Sequence, residues 1–577
     1  MELQGLGTGV RKRASLTAVA VALVALSAPP VAVATATSTV TATTPGAPVL
    51  VTSQNRPPPG YHLTAAQVER IAAANATARA ELRRHPKAIP YEYTKGGATW
   101  QVSWFSAGRH QVELLQVYVS DATRQVTQAW TGFQVAWSMA RGYPGAFGRR
   151  VNALYVWIPL CVLFVAPFLP WRRPRRLSLL HLDLLMLLGF SISLALFNNA
   201  DIGLSVPLVY PFLLYLLARM LLLAFGRGRP KAPLRLLVPV SWLAVATVFL
   251  VGFRVGLNVT NSNVIDVGYA GVIGADKLVH GQPLYGHWPK DNSQGDTYGP
   301  VAYYAYVPFR EIFGWSGTWD DLPAAHAAAI AFDLLTLVGL FFLGRRIRGP
   351  TLGTLLAYAW AAYPFTLWSL SSNTNDALVA LLLVVALLVI TWAPARGVAA
   401  ALAGLTKFAP LALAPLFLRG TGAAWPRKRS LVAYVLAYGA TIALALLPVI
   451  LKHDLHAFWR DTIVYQADRV APFSVWGLWG GLGVEQHLVE GAAVALAAAV
   501  AFVPRRRGLV EVAALGAAVV IALQLAANYW LYSYIVWFFP LVIVALFGTF
   551  PTRHDESPTA PAPEPVRLRQ PALARTP

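Results

Sequence analysis

Residues 324–348 read AAHAAAIAFDLLTLVGLFFLGRRIR. The first twenty, 324–343, hold a single acid, Asp333, and the chain then turns basic at Arg345, Arg346 and Arg348. An α-helix of about twenty apolar residues crosses the roughly 30 Å hydrocarbon core of a bilayer. Lys and Arg clustered just beyond such a run mark the cytoplasmic end of a span. The stretch therefore reads as a transmembrane helix with a buried carboxylate at its middle.

The same pattern recurs outward in both directions. Further apolar runs lie near 151–170, 178–197, 204–225, 236–257, 351–369, 377–393, 430–450, 486–503, 509–527 and 529–548, giving about eleven expected spans. The composition agrees: of 577 residues 56% are hydrophobic and only 13% charged, against about 25% in soluble domains. That excludes an ordinary soluble enzyme, a disordered chain and a disulfide scaffold. Cys161, the single cysteine, sits in an apolar run and carries no redox or metal signal.

The net charge of +21 comes from 47 Lys and Arg against 26 Asp and Glu. A basic protein of this kind binds either nucleic acid or an anionic surface. Here the basic residues fall in short runs between spans: Arg172, Arg173, Arg175 and Arg176; Arg227, Arg229 and Lys231; Arg427, Lys428 and Arg429; Arg505, Arg506 and Arg507. They report orientation, so the expected partners include membrane lipids and not nucleic acid. With 37–150 outside, alternation of the spans puts every basic run on the cytoplasmic side. The loops 198–201, 258–323, 371–376 and 451–485 then fall outside. One segment, 398–418, resists a single crossing because Arg396 precedes it and Arg419 follows it. It reads as a re-entrant hairpin broken by Gly404, Pro410 and Pro415. Such backbone is tolerated at membrane depth only where protein or a wet cavity surrounds it.

Residues 1–36 read as a signal peptide or signal anchor, with Arg11, Lys12 and Arg13 ahead of an apolar run and small residues at Ala32, Ala34 and Ala36. After a Thr/Ala/Pro-rich linker, 37–150 holds the one sizeable soluble region. A helical pattern over 64–84 starts at Thr64 as N-cap. Alternating stretches follow at 99–105, 111–119 and 125–130. A small α+β extracytoplasmic domain is expected. The string VELLQVYVSDATRQVTQAWTG, with Asp121 and Thr123 at a turn and Trp130 closing the second strand, resembles PepSY-like extracytoplasmic domains. A binding or regulatory role is expected of it. Residues 151–235 supply three accessory spans, 236–549 the main membrane region, and 550–577 a Pro-rich cytoplasmic tail expected to be disordered.

Charges within a membrane are costly, so Asp333 and Lys407 are site candidates, with a helix contact and snorkelling as their plainer readings. Asp183 and Arg219 read as interfacial. The outer loop 258–323 is richer: it interleaves Asp266, Asp276, Asp291, Asp296, Lys277, His280 and Arg310 with Tyr269, Tyr285, Tyr298, Tyr303, Tyr304 and Tyr306. These tyrosines serve either as interfacial anchors or as a stacking wall for a sugar ring. The stretch 301–315 reads as an interfacial helix.

The string IDVGYAGVIGADKLVHGQPLYG, 265–286, resembles the first outer loop of GT-C glycosyltransferases, in particular glycosyltransferase family 87, the polyprenol-phosphate-mannose-dependent mannosyltransferases. Asp266, Tyr269, Gly281, Pro283 and Tyr285 carry the match, followed by Tyr298 and Pro300. Later echoes are NTNDALVALLLVVALL with Asp376, AGLTKFAPLALAPLFL with Lys407, DTIVYQADRVAPFSVWG with Arg469 and Ser474, and YSYIVWFFPLVI. The resemblance covers about 236–548; the three earlier spans and the exported domain depart from it.

The resemblance implies a membrane enzyme that moves a sugar, mannose by the family pattern, from a polyprenyl-phosphate donor to an extracytoplasmic lipid or cell-envelope glycan acceptor. Asp266 would be the general base and the reaction would invert the anomeric carbon. Arg469 and His280, with Lys277 behind them, would meet the leaving phosphate, and Tyr269, Tyr285, Tyr298, Asp376 and Lys407 would line the substrate site. No cofactor is demanded, since no ligand-spaced His/Asp cluster stands out; some GT-C enzymes use a divalent metal, which leaves Asp276, Asp291 and Asp296 open to that role. The other readings are a transporter or flippase of lipid-linked saccharides and a membrane sensor.

Overall fold

The computed structural model describes residues 48–551 except 96, 109–110, 137, 143–144, 170–177, 466–468 and 470. The expected targeting segment 1–36, the Arg172–Arg176 run and nearly all of the tail lie outside the described residues.

The N-terminal unit is a five-stranded antiparallel sheet in sequence order, covered on one face by two helices. Its elements are β1 (Val49–Leu50), α1 (Ala65–Ala73), α2 (Ala76–Arg84), β2 (Ile89–Thr94), β3 (Thr99–Phe105), β4 (Glu113–Ser120) and β5 (Val126–Thr131). Thr64 caps α1 through a reciprocal box with Gln67. The helix expected over 64–84 is interrupted because the Asn75 side chain accepts from the Thr77 and Ala78 N–H groups and starts a second helix. β2 was not expected from the sequence. It pairs with β1 only at Tyr93 and Thr94, so Pro90 occupies an open edge, where a missing donor is tolerated. Asp121, at the turn, is buried and accepts from the His62 and Leu63 N–H groups and the Trp100 indole, tying the start of α1 to the sheet. Burial raises the Asp121 pKa, but those hydrogen bonds outweigh it and hold the carboxyl below its ordinary value.

Beyond residue 150 the described residues are mostly helical around one large apolar core, with a small second cluster at Leu284, Tyr285, Tyr303 and Val449. Among the described residues six helices are long and apolar enough to cross a membrane. They are numbered with their neighbours in chain order. α3 is Leu154–Val165, α4 Leu179–Asn198, α5 Ile202–Ala224 and α6 Val240–Thr260; α7, Asp266–Val279, lies in the 258–323 loop. Then come α8 (Pro323–Arg348), α9 (Pro350–Ala362), α10 (Pro364–Ser371), α11 (Asp376–Leu388), α12 (Ala393–Thr406), α13 (Ala414–Arg419), α14 (Lys428–Leu451), α15 (Gly483–Ala499), α16 (Leu509–Ala526) and α17 (Ile535–Gly548). The six are α4, α5, α6, α8, α14 and α16. The other expected spans are shorter or broken: 351–369 divides at Tyr363 ahead of Pro364, and the last helix starts only at Ile535. Likewise 301–315 forms two short helices, Pro300–Tyr304 and Val307–Phe313.

Three buried arrangements bear on the sequence reading, and the first bears out its plainer alternative, a contact between helices. Asp333 on α8 is ion-paired with Arg254 on α6, both side chains are essentially inaccessible, and Trp360 donates to the same carboxylate at 2.9 Å. Arg254 also donates to the Ala361 carbonyl and the Thr366 hydroxyl, each at 3.1 Å. Asp333 is therefore a helix–helix contact with every neighbouring donor used. Asp183 and Arg219 pair with each other at 2.9 Å and are buried, with the Tyr215 hydroxyl on the same carboxylate at 2.8 Å. The 371–376 loop is not solvated; all six residues are at most 2% exposed. They form a floor on which 263–265 rests, the N–H groups of Asn263 and Ile265 donating to the Ser371 and Ser372 carbonyls.

Between α12 and α13 the chain reverses. Arg396 donates from Nε to the Phe417 carbonyl at 2.7 Å and from Nη2 to the Leu418 carbonyl at 3.2 Å, closing the base of the reversal. A Cβ at Gly404 would meet the Leu411 side chain at 2.3 Å, so a larger residue there would have to displace that side chain from between the two limbs. Lys407 stands at the tip.

Candidate functional site

Asp266 is the first residue of α7, where a carboxylate complements the positive end of the helix dipole. A Cβ at Gly268 would lie 2.3 Å from the Asn373 carbonyl oxygen, so bare backbone lets the start of α7 settle onto the polar floor. Phe147 lies on the cavity wall beside Asp266, and the Gly148 N–H donates to the Asn263 side chain at 2.7 Å. The junction after the N-terminal unit is thus part of the cavity wall.

Asp266, Tyr298, Asp376, Lys407 and Arg469 line one enclosed cavity of about 40 Å³. Lys407 Nζ pairs with Asp376 at 2.6 Å, and Trp537 donates to the same carboxylate oxygen at 2.7 Å. The ammonium is also 5.2–5.4 Å from the ring centres of Tyr298, Tyr534 and Trp537. Arg469 stacks its guanidinium 3.6 Å from the centre of the Tyr529 ring. Asn292 donates to the Asp266 carbonyl at 3.0 Å. Burial pushes the Asp266 carboxyl above its ordinary range. The Val267 N–H and the charges of Arg469 and Lys407 oppose that rise, and Asp376 adds to it. The cavity thus holds a carboxylate with raised proton affinity beside two cations.

A second cavity of about 560 Å³ shares Tyr298, Lys407, Tyr529 and Tyr534 with the first. It extends between α15 and α16, past Gln486 and Gln524. Lys407 and its aromatic ring of neighbours form the partition between the two.

Four of the residues picked out by sequence lie elsewhere. His280 caps the far end of α7, about 21 Å along the helix from Asp266 at 1.5 Å per residue, and its side chain is half exposed beside Asp276. Lys277, about 16 Å along by the same spacing, is buried with its ammonium on the Pro283 carbonyl at 2.9 Å. Neither lines the cavity with Arg469. Tyr269 stacks on Trp319 at 4.9 Å and donates to Asp291 at 3.2 Å. Tyr285 donates to the Tyr298 carbonyl at 3.2 Å and so supports Tyr298 from behind. The acids left open for a metal point to separate partners: Asp276 to Arg310 at 2.7 Å, Asp291 to Tyr269, and Asp296 to the Gly286 N–H at 2.7 Å.

Sequence reasoning missed Asn292, Tyr529, Ser533, Tyr534 and Trp537 as cavity or partition residues. The cluster YWLYSY directly after α16 was the available signal, since that many aromatic and hydroxyl groups are unusual inside an apolar run.

Two predictions concern the frame of the site. Gly299 lies against the end of α12, and a Cβ there would stand 1.9 Å from the Leu405 carbonyl oxygen. Gly299→Ala is expected to push the Lys407 turn away from the cavity and to destabilise the protein by about 1–3 kcal/mol, the usual cost of overpacking. Thermal unfolding in detergent checks this; an unchanged midpoint would count against the close approach. Asp296 is buried, and its carboxyl is pushed up to about 7 first by burial, against the Gly286 hydrogen bond and with Asp461 adding to the rise. The folded state therefore holds its proton where the unfolded chain has lost it. Acidification from above pH 7 towards the ordinary carboxylate range should stabilise the protein through this group. Asp296→Asn should flatten that part of the stability–pH curve, measured as melting temperature against pH.

A scan against protein-family models and a search of curated proteins found no match to this chain.

Proposed function

We propose that the protein is a membrane glycosyltransferase that takes a sugar from a polyprenyl-phosphate donor and passes it to a hydroxyl of a lipid or glycan acceptor. The observation that carries this reading is the meeting of Asp266, Arg469, Lys407 and Asp376 in one cavity at the end of an apolar helix bundle. A lipid-linked donor needs an apolar bundle for its chain, a cation for its phosphate and a base for the acceptor, and these residues supply the last two.

In the proposed reaction the Asp266 carboxylate takes the proton of the acceptor hydroxyl. The hydroxyl oxygen forms a bond to the anomeric carbon as the bond from that carbon to the phosphate oxygen breaks, with inversion. The electron pair leaves with polyprenyl phosphate. Arg469 is the group suited to clamp two phosphate oxygens, and Lys407 offsets the charge that develops as the phosphate departs. Lys407 then exchanges part of its contact with Asp376 for the phosphate. In this reading about eleven spans cross the cell membrane, 398–418 is re-entrant from the cytoplasmic side, and the cavity and N-terminal unit face outward. The N-terminal unit, PepSY-like in its strand–turn–strand sequence, helps select the acceptor in the cell envelope.

The test uses membranes containing the full chain, supplied with labelled polyprenyl-phosphate mannose. Label should pass to a lipid or glycan product. Movement of the labelled lipid across liposomes with no transferred sugar would overturn the proposal in favour of a flippase.

A further inference from the structure

α16 leads from the region of this cavity to the opposite end of the bundle, about 27 Å away for its 18 residues. At that end lies a separate cavity of about 400 Å³ between the C-terminal end of α5 and the N-terminal end of α16. Arg229, Arg506 and Arg507 line it, against one acid, Glu511.

The positive charge there is built into the fold. Arg507 is 4% exposed and donates only to backbone carbonyls, those of Gly420, Val500 and Ala501. Its neighbour Arg419 is 3% exposed and donates to the Ala423 and Arg505 carbonyls, each at 3.1 Å. The Arg419 Nη1 atom is buried with no hydrogen-bond partner among the described residues. Arg396 is held the same way, by the carbonyls of Ile390, Phe417 and Leu418. No carboxylate among the described residues pairs with Arg396, Arg419 or Arg507. Glu511 is engaged by Arg229 and by the Gly508 N–H. Uncompensated buried cations raise the local potential, and an anion brought beside them relieves it.

The rim of the cavity is apolar and exposed. Phe225 lines it at 52% exposure, and Phe502 and Val503 next to Pro504 are 61% and 44% exposed. A soluble anion has no use for such a rim, whereas an acyl chain does.

We propose that this pocket binds the phosphate of an anionic phospholipid, with Arg229 and Arg506 on the headgroup, Arg507 behind them and the acyl chains against Phe225 and Phe502. The site is independent of the sugar-transfer reading and would hold if that reading failed. Glu511 competes with the lipid for Arg229, so it sets the strength of binding.

The experiment uses the full chain, stripped of lipid in neutral detergent and titrated with phosphatidylglycerol or phosphatidylcholine in mixed micelles, with retained lipid counted by native mass spectrometry. The wild type should retain phosphatidylglycerol in preference to phosphatidylcholine. Arg229→Gln and Arg506→Gln, both at the accessible side of the pocket, should each weaken that retention roughly fivefold. Glu511→Gln should strengthen it by releasing Arg229. Equal retention of the two lipids, or retention of phosphatidylglycerol unchanged by both arginine variants, would overturn the proposal. Displacement of the lipid by inorganic phosphate alone at millimolar concentration, with the same sensitivity to Arg506, would assign the site to a soluble phosphate and overturn the lipid.

Discussion

Asp266→Asn is expected to lower sugar transfer by about 10²- to 10⁴-fold, the usual contribution of a positioned general base. The amide keeps the size of the side chain and its place at the start of α7, but it cannot accept the acceptor's proton. The loss should fall on kcat, with KM little changed, because the cavity walls and the cations remain. Wild-type turnover in Asp266→Asn would remove Asp266 from the mechanism. The pH profile supplies a second readout. Burial raises the Asp266 pKa, and Arg469 and Lys407 hold the rise in check. A base must be ionised to act, so the rate should fall as pH drops through that raised value. Arg469→Gln removes part of the opposing charge and should move this acid limb to higher pH, besides weakening donor binding. A limb that stayed in place would mean that Arg469 does not act on Asp266.

Asp333→Ala is expected to destabilise the protein by about 3–5 kcal/mol, because it leaves the Arg254 guanidinium and the Trp360 indole buried without their acceptor. The lower end of that range is the better guide inside a bilayer, where separated helices also find polar partners. Replacing both members, Asp333→Leu with Arg254→Met, should recover most of the loss, since a buried pair and a well-packed apolar pair differ little. Unfolding midpoints of the two variants and the wild type in detergent decide the point. If the double variant were no more stable than Asp333→Ala alone, the pair would have a role beyond helix packing. Retained transfer by the folded double variant would place Asp333 outside the chemistry.

Part of the candidate site was legible because the residues that line its cavity stand out locally. Asp266 follows the end of an apolar run, Asp376 heads one, and Lys407 interrupts one; each is a charge where the chain is otherwise apolar. Arg469 and Tyr298 came from outer loops by their motif context. His280 and Lys277 are given the leaving phosphate by the resemblance, which carries no information on where along α7 they stand. His280 stands fourteen positions after Asp266, and a helix converts that separation into distance. In the N-terminal unit Thr64 is readable as a cap because an amphipathic run follows it, whereas Asn75 lies within a continuous helical period. β2 was hidden by Pro90 in a stretch too short to alternate clearly.

The sequence by itself determined that this chain carries long helices apolar enough to cross a membrane and, ahead of them, a more polar α+β unit, because both follow from composition and local period. It also located the charges that interrupt the apolar runs. Only the tertiary structure decided which charges meet: Arg254 with Asp333, Arg219 with Asp183, Lys407 with Asp376, and Arg507 with carbonyls alone. Such partners lie on different helices, and their meeting depends on how each helix is rotated and packed. No spacing along one strand of sequence encodes that, and the buried floor at 371–376 is its clearest result: a polar loop becomes interior once Asn258, α7 and the 145–153 junction close over it.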